Sequence, residues 1–134
     1  MKKPTFDQLD SFTRGYVEAL FFTELPDTKR QPGPMTQWFD FAQAWHQLTR
    51  KTQDAIRADC DDFQNQDRVK AIGIDWLDRS RAGRDFWYTR NRHGAGFWDG
   101  DWGEHGRELT ELCRPYGTQE THWHKSRLYL YGVN

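Results

Sequence analysis

Phe6, Leu9, Phe12, Tyr16, Val17 and Leu20 recur at intervals of three and four, which places them on one face of a helix. Thr5 and Gln8 stand at the spacing of a capping box with Pro4 just outside, so the helix is expected to open there and run to about Thr23. Gly15 inside it costs roughly 1 kcal/mol relative to alanine, and a close approach by another element is the expected reason for it. Residues 25–34 hold three prolines and a glycine and read as a loop. Trp38, Phe41, Ala42, Trp45 and Leu48 form a second stripe, and Ile56, Cys60 and Phe63 continue a similar one, which predicts two helices over about 35–47 and 50–66, a period that one long kinked helix would also fit. Asp59, Asp61, Asp62 and Asp67 fall on the polar side of the later helix and read as solvated surface.

Beyond Gln66 the periodicity fades, and residues 67–83 fit a short helix or a strand. Ala82-Gly83 reads as a break. Asp85 to Arg90 alternates as a strand would, with Phe86, Tyr88 and Arg90 on one face and Asp85, Trp87 and Thr89 on the other. Asn91 to Gly96 reads as a turn and Phe97-Trp98 as a short partner strand. A short helix is expected over Glu104–Tyr116, ended by Pro115 and Gly117. The last segment reads as a hairpin, Thr121–His124 and Arg127–Tyr131 about a Lys125-Ser126 turn, a poorer two-residue turn than Asn-Gly. The pattern therefore predicts an α+β fold, with N-terminal helices packed on a small antiparallel sheet formed by the C-terminal half.

Composition narrows the picture. A chain of 134 residues suits a single domain over 1–134. Only 36% of residues are apolar while 16% are aromatic, so burial must come from a few large rings. A net charge of −1 argues against the broad positive field of non-specific nucleic-acid binding. Cys60 and Cys113 match neither a disulfide framework nor a CxxC motif, and a reducing compartment is the simpler expectation. No stretch reaches the roughly 20 apolar residues of a membrane span, and no apolar leader follows Lys2 and Lys3, so a cytoplasmic protein without membrane contact is expected.

The unusual chemistry lies between Arg84 and Trp102. His93, beside Gly94 and near Asp85, Asp99 and Asp101, has the makings of a general base or a metal ligand, with Asp99 as the second catalytic candidate; its bland role is to pin the turn. His122 and His124 share a face of the expected strand, and with His105 or His93 they would form a weak metal set. Arg79, Arg81, Arg84, Arg90 and Arg92 crowd near Trp87, Tyr88 and Trp98, a mixture that grips phosphates, stacks on bases or makes protein hot spots. The intramolecular alternative pairs Arg90 with Asp99 or Asp85 and buries Phe86, Trp87, Phe97 and Trp98. Arg84 and Arg92 are then left for the surface, with Trp102 as an exposed anchor. No nucleophile elbow, phosphate-binding loop or dinucleotide fingerprint is present, so no cofactor is expected.

Residues 85–99, DFWYTRNRHGAGFWD, resemble a family of small proteins of bacteriophages and other mobile elements that share the core DFW-x-TRN-x-HGAGFWD. Asp85, Phe86, Trp87, Thr89, Arg90, Asn91, His93, Gly94, Ala95, Gly96, Phe97, Trp98 and Asp99 match it. The likeness extends more loosely to residues 58–63, to the Leu109-Thr110 helix and to the final hairpin, where an Asp-Gly-like turn is replaced by Lys125-Ser126. Members of that family are mostly uncharacterised, so the resemblance implies a phage or mobile-element origin, and a host bacterium's cytoplasm, without implying a reaction. The leading expectation is an accessory protein that binds a host or phage macromolecule, a protein partner first, in the manner of a host-defence inhibitor. Arg84, Arg90, Arg92, His93 and Trp102 are its candidate contacts. The rival is a small hydrolase or metal-dependent enzyme centred on His93 and Asp99, with His105. Single-stranded nucleic-acid binding, sensitive to salt and to Arg84 and Arg92, is the third reading.

Overall fold

The computed structural model describes residues 3–132, and the molecule is mostly helical with one two-stranded antiparallel sheet. The Thr5/Gln8 pair forms as expected, with Gln8 accepting from the Thr5 amide at 2.9 Å, but it caps only a 3-10 turn over Phe6–Gln8. The long helix α1, Ser11–Glu24, starts afresh with Asp10, whose carboxylate accepts from the Thr13 amide at 3.0 Å. The segment expected as one helix over 35–47 is two, α2 (Met35–Trp38) and α3 (Phe41–Gln47), because Asp40 leaves helical geometry to cap α3. Helix α4 (Arg50–Gln64) matches its expected span, with Thr49 as its cap. Residues 67–83 settle as α5 (Asp67–Ile72), a 3-10 turn over Trp76–Asp78, and the start of α6.

Helix α6, Arg79–Arg90, is the main correction to the sequence reading: the expected strand over 85–90 is helical, and Ala82-Gly83 lies within it rather than breaking the chain. Ala82, Gly83, Asp85, Phe86, Trp87, Thr89 and Arg90 are all buried, so α6 is enclosed on several sides. A helix with apolar neighbours almost all round has no polar face to reveal its period, and a short alternating stretch of it mimics a strand. Phe97-Trp98 likewise forms no strand; it belongs to the turn-rich connection before α7 (Gly106–Leu112). The sheet is only the terminal hairpin, β1 (Thr121–His124) with β2 (Arg127–Leu130), and not the whole C-terminal half.

Two glycines explain how α6 reaches the centre. A Cβ on Gly15 would lie 2.0 Å from the Ser80 carbonyl oxygen, and one on Gly83 would lie 1.8 Å from that of Phe12. The helix backbones therefore touch, and the reciprocal pairing sets their crossing. Further along, the Trp87 indole donates to Thr23 Oγ1 at 2.8 Å, so the two helices run side by side in the same direction. Around this pair the aromatic rings interlock: Phe63 lies 4.4 Å from Phe86, 5.8 Å from Phe12 and 5.9 Å from Phe97 between ring centres. Each such fully buried ring contributes about 1.5–3 kcal/mol by leaving water. Among the described residues a connected core runs from Phe6 to Leu130.

The hairpin turn carries its own strain. Lys125 and Ser126 both take positive φ, 49° and 65°, the conformation that a type I′ turn demands of its central pair. The expected register is therefore met with unsuitable residues. The double substitution Lys125→Asn, Ser126→Gly is expected to raise stability by about 0.5–1.5 kcal/mol, seen as a higher thermal midpoint with an unchanged circular dichroism spectrum.

Candidate functional site

The residues of the 85–99 motif divide between a buried anchor and an exposed groove. Arg90 is the anchor. Its side chain is 4% exposed, and it donates to Tyr16 Oη and Asp59 Oδ2 at 2.9 Å each and to the Tyr116 and Gly117 carbonyls at 3.0 Å. It lies over the Phe86 and Tyr116 rings at 5.6 and 5.9 Å. Burial works against its charge, but Tyr16 and Asp59 more than offset it and hold the guanidinium protonated. Arg90 thus ties α6 to α1, α4 and the turn after α7, and its acid is Asp59 rather than the expected Asp99 or Asp85.

Asp85 turns to a different partner. Its buried carboxylate accepts from the Trp102 indole at 2.6 Å, and burial raises its pKa. Trp102 is consequently no exposed anchor: it is partly buried, with its ring edge-on to Phe97 at 5.6 Å. Thr89 Oγ1 accepts from the Phe97 amide at 3.0 Å and pins the glycine turn beneath α6. Arg84, expected at a binding surface, hydrogen-bonds Ser80 Oγ at 2.7 Å and lies 3.6 Å from Glu18.

The catalytic candidates do not converge. Asp99 folds back on its own loop, its oxygens 3.4 Å from the Gly96 and Asp101 amides. His93 sits instead at the base of the hairpin, edge-on to Tyr88 at 6.1 Å, and lines a shallow cavity with Glu24 and Tyr131. Its Nε2 is buried without a hydrogen-bond partner among the described residues. Burial raises the Glu24 pKa, opposed by the nearby His93 and by a hydrogen bond from Thr121. His122 and His124 do share a face, but that face is filled by tyrosines: His122 stacks on Tyr129 at 5.3 Å and lies tilted against Tyr131 at 4.6 Å. His105 lies 3.7 Å from Glu104. Among the described residues no group of three His, Cys, Asp or Glu side chains is placed to hold a metal ion, so the set His93, His105, His122 and His124 does not assemble.

What the fold does assemble is a groove of about 510 Å³ between the 91–98 turn and the end of α7, lined by Arg92, Trp98, Arg114 and Thr118 above a floor of Arg90 and Cys113. No acidic residue lines it. Arg92 is exposed and holds φ at 56°, a left-handed conformation that disfavours a residue with a Cβ. Among the described residues its guanidinium has neither an ion-pair nor a hydrogen-bond partner. Trp98, expected in the core, is 44% exposed. The tip of its six-membered ring comes against Gly96, where a Cβ would lie within 2.6 Å of it, so only glycine leaves the indole this place beside the backbone. Arg114 gives its Nε to Glu111 at 2.9 Å on the exposed rim. Burial raises the Cys113 thiol's pKa, so the thiol adds no negative charge to the floor at neutral pH.

Sequence reasoning named Arg92 but missed Arg114, Thr118 and the exposure of Trp98. The one available signal was Gly96, two residues before Trp98, since a glycine there permits a ring to come close to the chain. Among the described residues no helix is long and apolar enough to cross a membrane. The chain is thus a mostly helical protein with a basic, aromatic-walled groove. No protein-family model matches it, and neither a curated protein nor a solved structure matches it.

Proposed function

We propose that this chain is an accessory protein of a bacteriophage or mobile element that works in the host cytoplasm by binding a host or phage macromolecule, a protein of host defence in the first place. The observation that carries this reading is the half-exposed Trp98, which lines a groove without acids together with Arg114 and with Arg92, unpaired among the described residues. An indole held by packing loses little freedom on binding, and tryptophan and arginine side chains dominate recognition energies. The resemblance of residues 85–99 to phage proteins supplies the setting.

The test compares two immobilised proteins, wild type and the double variant Arg92→Gly, Trp98→Ala, in lysate of a bacterial host. Both side chains are exposed, so the variant is expected to keep its thermal midpoint within about 2 °C. A partner recovered by the wild type and reduced at least tenfold with the variant supports the reading. Identical recoveries from the two proteins, or none from either, count against the groove as the recognition surface.

A further inference from the structure

The geometry points to a nucleoside phosphate as the group that this groove receives, with the base stacked on Trp98 and the phosphate held between Arg92 and Arg114. This rests on the reading of the groove as the recognition surface and sets a nucleotide, in place of a protein side chain, as what enters it. Three features select that ligand.

The first is the pairing of a flat apolar wall with cations. Trp98 is 44% exposed and lines the groove together with Arg92 and Arg114. A base stacked on an aromatic ring is worth about 1–3 kcal/mol, and any base will serve. A carboxylate side chain would use the guanidinium groups and leave the indole idle.

The second is the donor set. Arg92 is unpaired among the described residues, and Arg114, though its Nε serves Glu111, keeps its terminal nitrogens. Thr118 adds a hydroxyl with no hydrogen-bond partner among the described residues, and Arg90 below uses four of its five N–H donors within the protein. Guanidinium forks match a phosphate's oxygens two at a time, and the charge makes those bonds roughly twice as strong as neutral ones. Arg92 itself sits at φ 56°, where glycine would be the unstrained choice, so its side chain is retained at some cost to the backbone.

The third is size. A groove of about 510 Å³ lies within the usual range for small ligands, and the chain's net charge of −1 provides no extended track for a strand. The fit is to a single nucleotide unit, either free or at the 5′-phosphorylated end of a nucleic acid.

Calorimetric titration of the full chain with adenosine 5′-monophosphate tests this. Adenosine, inorganic phosphate, a 5′-phosphorylated dinucleotide, its unphosphorylated form and a hexaglutamate peptide serve as the other arms. The nucleotide is expected to bind at least about tenfold tighter than adenosine or phosphate alone, because only it engages both the ring and the cations. Arg92→Gly is the decisive variant, since it removes the cation at a position where glycine relieves strain. It should weaken the nucleotide about tenfold while the thermal midpoint holds or rises. Trp98→Ala should cost a similar factor. Tighter binding of the phosphorylated dinucleotide than of the free nucleotide would assign a strand end, and equal or weaker binding a free nucleotide. No nucleotide binding at millimolar concentration, or binding unchanged in both variants, overturns the inference. Hexaglutamate bound by the wild type and lost on Arg92→Gly, with no nucleotide bound, overturns it while sparing the groove as a recognition surface. Neither nucleotide nor peptide bound, together with lysate recoveries that the double variant leaves unchanged, overturns both.

Discussion

Gly83→Ala is expected to destabilise the protein by about 3 kcal/mol or more, lowering the thermal midpoint by roughly 10 °C in a circular dichroism melt. In an exposed helix the same change would stabilise by about 1 kcal/mol, so the sign of the shift reads out the helix contact directly. The new methyl carbon would lie 1.8 Å from the Phe12 carbonyl oxygen and 3.0 Å from the Tyr16 amide, both backbone atoms of α1 that no rotamer change can move. Gly15→Ala meets the Ser80 carbonyl at 2.0 Å and should behave alike. Because one outward shift of α6 relieves both collisions, the double variant should cost clearly less than the sum of the two. A midpoint that rises for Gly83→Ala would mean that the helices are not in backbone contact.

Arg90→Met is expected to cost about 3–5 kcal/mol, measured by denaturant unfolding. The variant fills similar space but leaves the Asp59 carboxylate, the Tyr16 hydroxyl and the Tyr116 and Gly117 carbonyls without their shared donor. Tyr16 is 1% exposed, so its hydroxyl has no route to water, whereas the Asp59 side chain is 37% exposed and recovers part of its hydration. Asp59→Asn should therefore cost less than Arg90→Met. Arg90→Lys should restore only part of the loss, since one ammonium group with three donors cannot span four acceptors on separate elements. Equal stability of the lysine variant and wild type would refute the multi-element role of the guanidinium.

Much of the local structure was legible from the chain. The stripes of Phe12 to Leu20 and Ile56 to Phe63 encode α1 and α4, and the terminal hairpin is found in its expected register despite Lys125-Ser126. Gly15 was legible as a close approach, though not what approaches it. The strand reading of 85–90 failed because the enclosure of α6 by its neighbours is a tertiary fact. Period-based reasoning needs a solvent face, and α6 has little of one. The candidate site shared that fate in part. Arg92 was named from the sequence, but Arg84 and Trp102 were drawn into contacts with Glu18 and Asp85, while Trp98 moved from expected core to surface. Whether an aromatic residue in a glycine turn faces inward or outward depends on the positions of other elements, here the floor that Arg90 builds with the turn after α7.

By itself the sequence determined the long amphipathic helices α1 and α4, where the hairpin turns, and that rings rather than aliphatic chains would fill the core. Those properties follow from side-chain spacing and local backbone preference, which act over a few residues. Tertiary structure alone decided that the 85–90 segment is a central helix, that Arg90 finds Asp59 across 31 residues, and that His93 and Asp99 take different partners although they are near in sequence. Each of these turns on which distant atoms are within hydrogen-bond or van der Waals reach, and that is set by two glycines that let α1 and α6 touch.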